Sequence, residues 1–296
     1  MSDTEKDQFD IYIDYAKDTG DASRVFHAMG GLIDAFEQFD SLFAGVISEH
    51  ATAELVLHDI EAASLKAKLR SVIGGIPDDA LRDGEWKKVL GHFLIEAKHA
   101  LCEWLDENPK ISTLDQVQTL EIRIAIIAEK SGARHFPMYR PLDKKALLGS
   151  IAELDRSTSM LDPQDDLRYV SPHGEVRIAH SQHVNDELIR EILTKEILAS
   201  EDVRIVKIKK PDFLGNSQWV LKYSGHSINA TIADTDWLSR FQDGETDVKP
   251  GDSLRVRMRE QVYYGHHHEV VHISYEVMEV LDVLKPRPSE QRRLTF

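Results

Sequence analysis

Pro250-Gly251-Asp252-Ser253-Leu254-Arg255-Val256-Arg257-Met258-Arg259 is the stretch on which the fold of this chain turns. Proline presets φ and glycine accepts positive φ, so residues 249–252 read as a tight turn. After it, Leu254, Val256 and Met258 alternate with three arginines, and strand side chains point to opposite faces in alternation. One face is therefore apolar and the other cationic. Upstream, Ile205, Val206 and Ile208 lead to the breaker Pro211. Trp219, Leu221 and Tyr223 then alternate with Gln218, Val220 and Lys222, and Ser224-Gly225-His226-Ser227 signals a turn into Ile228, Ala230 and Ile232. Asp234 or Thr235 is a good N-cap for a short helical turn over 235–241. Downstream the chain turns around Gly265-His266-His267-His268 and returns as a final strand over 270–284. Five strands in this span suit a small barrel, SH3-like or OB-like.

The 296 residues allow two domains, each able to bury a core. Apolar residues make up 42% and charged residues 29%, an ordinary globular balance, and apolar runs such as 122–128 are too short to cross a membrane. No secretory signal is visible in residues 1–10. The single cysteine, Cys102, excludes an internal disulfide and fits a reducing cytoplasm. The net charge of −15 is uneven. Residues 200–296 carry 14 Lys and Arg against 15 Asp and Glu, whereas residues 1–199 carry 22 against 36. The acidic N-terminal part disfavours general nucleic-acid binding there.

Residues 9–15 alternate like a strand. Val25, Met29, Leu32, Ile33, Phe36, Phe39, Phe43, Val46 and Ile47 mark an amphipathic helix. Gly30-Gly31 within it reads as close packing on a neighbouring strand. Residues 53–73 read as a β-hairpin, giving a β-α-β-β start, and three helices follow up to about residue 160. The expected organisation is α+β: a mostly helical domain over 1–161, a linker with a short helix over 162–199, and the small β-barrel over 200–296. The short helix is expected over 186–198.

Four clusters carry candidate chemistry. His266, His267 and His268 are candidate metal ligands, but zinc needs three or four converging donors and adjacent strand residues point apart. Arg255, Arg257 and Arg259, with Lys207, Lys209, Tyr263, Tyr264 and Trp219, resemble the basic and aromatic surface of a single-strand-binding barrel. The competing reading is a solvated face whose arginines pair with Glu276, Glu279 and Asp282 across strands. Asp10 and Asp14 share a strand face where carboxylates hold Mg²⁺ or simply meet water. His92, Glu96 and His99 share a helix face without the spacing of an HExxH site. No nucleophile elbow, P-loop or dinucleotide fingerprint is present, and no cofactor is expected.

Asp10-Ile-Tyr-Ile-Asp14, His58-Asp-Ile-Glu61, Ser64-Leu65, Trp86-Lys87-Lys88, Lys209-Lys-Pro-Asp-Phe-Leu-Gly215 and Pro250-Gly-Asp-Ser-Leu254 give the chain a loose resemblance to accessory proteins of bacterial genomic islands and prophages, a setting that includes phage-exclusion proteins. The resemblance implies a bacterial cytoplasmic protein that binds or senses something, and carries over no active-site residue. The expected function is non-enzymatic recognition of a protein partner, with possible homo-oligomerisation and no membrane. The alternatives are a single-stranded nucleic-acid-binding barrel and a metal-dependent hydrolase.

Overall fold

The computed structural model describes residues 8–16, 21, 23–48, 51–61, 64–74, 86–132, 140–215 and 217–285. The chain divides into two compact units, 1–193 and 194–296.

The first unit runs β1 (Gln8–Asp14), α1 (Ser23–Ile47), β2 (Thr52–Glu61), β3 (Leu65–Gly74), α2 (Trp86–Glu107), α3 (Leu114–Lys130), α4 (Lys144–Thr158), β4 (Asp166–Ser171), β5 (Gly174–Arg177) and α5 (Asp186–Leu193). Its strands form one antiparallel sheet in the order β2-β3-β1-β4-β5. This unit is mixed α and β rather than clearly mostly helical, since five described strands share it with the helices. Within the 162–199 stretch, the turn at Ser171-Pro172-His173-Gly174 joins two short strands, as its sequence signals, and these add to the sheet of this unit.

Alternation decides the sheet's two faces. Phe9, Ile11 and Ile13 of β1, with Leu69 of β3 and Tyr169 of β4, are buried. Phe9, Phe36 of α1 and Tyr169 pack ring on ring at 5.2 to 5.8 Å. The opposite face carries charge: Lys66 pairs with Asp10 at 3.0 Å and Lys68 with Glu61 at 3.0 Å. Gly31 sits where α1 meets α4, and a Cβ there would stand 2.3 Å from Ser157 Oγ. Its close neighbour is thus a helix rather than a strand.

The second unit runs β6 (Glu196–Lys210), β7 (Trp219–Tyr223), β8 (His226–Ile232), α6 (Thr235–Gln242), β9 (Ser253–Tyr264) and β10 (Val270–Leu284). The strands close a barrel in the order β10-β8-β7-β6-β9. All neighbours are antiparallel except β8 and β10, which run parallel over Ala230–Tyr275, Thr231–Glu276 and Ile232–Val277. Val206, Ile208, Leu221, Leu254, Val256, Met258 and Val277 fill the interior with Trp219, Trp237 and Phe241. Asp234 caps α6 by accepting from Trp237 N, while its second oxygen accepts from Val280 N of β10. One carboxylate thereby joins the helix to the barrel wall.

Candidate binding face on the C-terminal barrel

The inward phase of β9 is Leu254, Val256 and Met258, so Arg255, Arg257 and Arg259 point outward. Their register on β10 places Asp282, Glu279 and Glu276 directly opposite. Arg257 reaches Glu279 at 3.2 Å and Arg259 reaches Glu276 at 3.2 Å and Glu201 at 3.9 Å. The arginine row is a ladder with an acidic residue on each facing rung, and its charge is largely spent within the barrel.

Trp219 is not part of that surface. It shares its phase with Leu221, lies in the barrel core and packs on Phe241 at 4.9 Å and Trp237 at 5.8 Å. Tyr263 and Tyr264 are half-buried at the far end of β9, where the Tyr263 ring meets His272 at 5.4 Å. His266, His267 and His268 are exposed in the β9–β10 turn, with His268 at φ 62°. Among the described residues no group of three or more His, Cys, Asp or Glu side chains is placed to hold a metal ion, these histidines included.

A different cationic set stands apart from the arginine ladder. Lys207 of β6 pairs in register with Lys222 of β7, and a bulge beyond Ile208 places Lys210 opposite Val220. Lys209 donates to Ser227 Oγ of β8 at 3.2 Å. All four lysines are exposed. None has a carboxylate at ion-pairing distance among the described residues. Beside them, the loop after β6 presents Phe213, which packs on Phe241 at 5.1 Å, and Leu214, which is 97% exposed. Lys207 and Lys209 are legible as a row from their two-residue spacing. Lys222 joins them only through strand pairing, and Lys210 only through the bulge.

The first unit holds buried polar pairs that tie its elements together. Lys98 of α2 and Asp40 of α1 meet at 2.5 Å, fully buried, and Lys98 also donates to Ser71 Oγ at 2.9 Å. Burial pushes the Asp40 carboxyl up and the Lys98 ammonium down, each opposed by the other's charge. His183 Nδ1 meets Asp155 at 2.6 Å, and Asp155 also accepts from Val184 N at 3.0 Å. A histidine oriented by a carboxylate is the arrangement of a general base. His183, however, is 1% exposed and does not line the neighbouring cleft of about 430 Å³, which Asp155 and His180 do. His99, expected on a row with His92 and Glu96, is buried; its Nδ1 meets Ser171 Oγ at 3.1 Å and its Nε2 lies 3.5 Å from Glu103. Cys102 is buried, and burial pushes its thiol well up, away from the reactive thiolate.

No protein-family model, no curated protein and no solved structure matches this chain.

Proposed function

We propose that this chain is a non-enzymatic binding protein that holds single-stranded nucleic acid on the Lys207, Lys209, Lys210 and Lys222 face of its C-terminal barrel. The observation that carries this reading is four exposed lysines with no carboxylate partner among the described residues, on a chain of net charge −15. Solvated lysines elsewhere on the molecule, such as Lys66 and Lys68, stand beside acids. An uncompensated cationic face in an acidic protein fits an anionic ligand.

The strand order supports an OB-like rather than an SH3-like barrel. Counted within the unit, the closed order is one-two-three-five-four, a helix lies between strands three and four, and strands three and five run parallel. In OB-like barrels the face of strands two and three, with the loops after strands one and four, is the general ligand side. Here that side comprises β7, β8, the Phe213 loop and the His266–His268 turn. Phe213 offers a ring for base stacking, and lysines follow the backbone phosphates. Fold alone does not assign function, so the lysines carry the argument.

Recognition of a protein partner is favoured by a separate observation. Exposed Leu198 and Ile273 flank Val262 on one rung of the β6–β9–β10 sheet. The loose resemblance to accessory proteins of bacterial genomic islands and prophages adds a phage-exclusion or defence role in the bacterial cytoplasm as the setting.

The deciding experiment is fluorescence anisotropy of a labelled single-stranded oligonucleotide against the full chain across a salt series. Four phosphate contacts on a single strand give a log–log salt slope of about −3. The pair K207E/K222E is expected to abolish binding, while R257A leaves it nearly unchanged because Arg257 is already paired. No binding at low salt, together with a stoichiometric protein retained from nuclease-treated lysate, transfers the function to a protein partner.

A further inference from the structure

Among the described residues, β6 is paired on one side only over residues 196–206. β9 covers one edge along this whole length, and β7 joins the other edge only from Lys207 onward. Ile197, Leu198 and Val203 are 49%, 53% and 48% exposed along this free edge. A long exposed apolar edge strand is a template for another strand. We infer that a second copy of this chain covers it: the β6 edges of two copies pair antiparallel about a two-fold axis at Ser200, joining the two barrels through a continuous sheet.

Charge sets the register. Residues opposed across antiparallel strands share a face, and a two-fold axis perpendicular to the sheet keeps each face on its own side. The axis must therefore pass where one residue faces its own copy. With Ser200 at the axis, Glu196 faces Arg204 of the second copy at both ends, and Ile197 faces Val203. No like charges are opposed. Moving the axis to Glu201 or Asp202 sets a carboxylate against itself, and moving it to Ala199 sets Glu196 against Asp202. At Val203, residues 196–199 of the second copy run into β7, which occupies the edge from Lys207. At Leu198 the pair shrinks to residues 196–200 and Val203 stays uncovered. Arg204 now bonds Asp202 of its own strand at 2.7 Å, an exposed pair that exchanges readily.

The same symmetry has a geometric consequence. Because faces are kept, the outward side of β6 in both copies, with Lys207 and Lys209, lies on one side of the joined sheet. The dimer itself does not depend on the nucleic-acid reading, since its test uses protein alone.

Sedimentation equilibrium of the full chain measures it. The wild type is expected to dimerise with a dissociation constant below about 100 μM, about −5.5 kcal/mol. E196R and R204E each introduce two repulsive pairs and are expected to weaken the dimer by about tenfold or more. The double variant E196R/R204E restores both ion pairs and recovers wild-type affinity. Mixing the two single variants gives a mixed dimer tighter than either alone. Circular dichroism establishes that each variant is folded, and I197K at the same exposed edge replaces any that is not, with loss of dimer expected. A wild type that stays monomeric at 100 μM, or a dimer indifferent to these charge reversals, overturns the inference.

Discussion

Lys98 is an amine side chain with no access to water, held by Asp40, Ser71 and the Phe9 ring 4.1 Å from its Nζ. Removing one member of a buried pair strands the other, at about 3–5 kcal/mol. K98M and D40A are each expected to lose that much in urea denaturation, and the double variant less than the sum. Nothing local in the sequence links the two, since Asp40 and Lys98 sit at ordinary helix positions 58 residues apart. Asp212 is the opposite case, solvated but well bonded. It accepts from Ser217 Oγ at 2.5 Å and from the amides of Leu214, Gly215 and Ser217, which hold its carboxyl at about 2 against an ordinary 3.8. A depressed folded value stabilises the loop above about pH 4, and that contribution fades as pH falls towards 2. An NMR titration is expected to place the Asp212 midpoint near 2, and S217A to move it up.

Elements differ in how much of them the sequence displays. β9 is legible in full, because Leu254, Val256 and Met258 set its phase and its arginines find the carboxylates that the pattern offers on β10. Trp219 follows the same rule, since two-residue alternation puts it with Leu221 and hence in the core. The start of β6 is not legible. Ile189, Ile192, Leu193 and Ile197 fit a helical spacing, yet α5 ends at Leu193 and residue 196 begins a strand. Pairing with Tyr264, Tyr263 and Val262 of β9 overrides the local preference there, and the free edge of β6 was hidden with it. The glycine pair in α1 separates two roles that the sequence presents as one. Gly30 faces open space, whereas Gly31 abuts Ser157. G30A is expected to stabilise thermal unfolding by about 0.5–1 kcal/mol through helix propensity. G31A is expected to destabilise by about 1–3 kcal/mol through overpacking, with S157G restoring most of the loss.

At the scale of the whole molecule, charge and core divide along the same boundary. The barrel's apolar cluster is drawn from residues 206–277, inside the second unit. A piece comprising residues 194–296 is therefore expected to fold alone, unfold cooperatively by calorimetry and bind the oligonucleotide at least as tightly as the full chain. Its balance is near neutral while residues 1–199 hold the acidic excess, so removing the first unit removes a repulsive field. The sequence displays that charge division and the two-domain count, but not the sheet order, which depends on pairings such as β1 with β4 across more than a hundred residues.

The barrel is a cylinder with two short seams, β8–β10 and β6–β7, of three registered residue pairs each. Among the described residues, three pairs join β8 to β10, reinforced by Ala233 N to Val277 O and by Val280 N to Asp234. The hairpins β7–β8 and β9–β10 are local and form on the microsecond scale, whereas the β8–β10 seam must wait for the two hairpins to meet. Closure along β8–β10 is thus a late step of folding. A cylinder built in this way has a stiff half, the long β6–β9–β10 wall, and a lighter flap, the β7–β8 hairpin, which is tied to that wall by a short seam on either side.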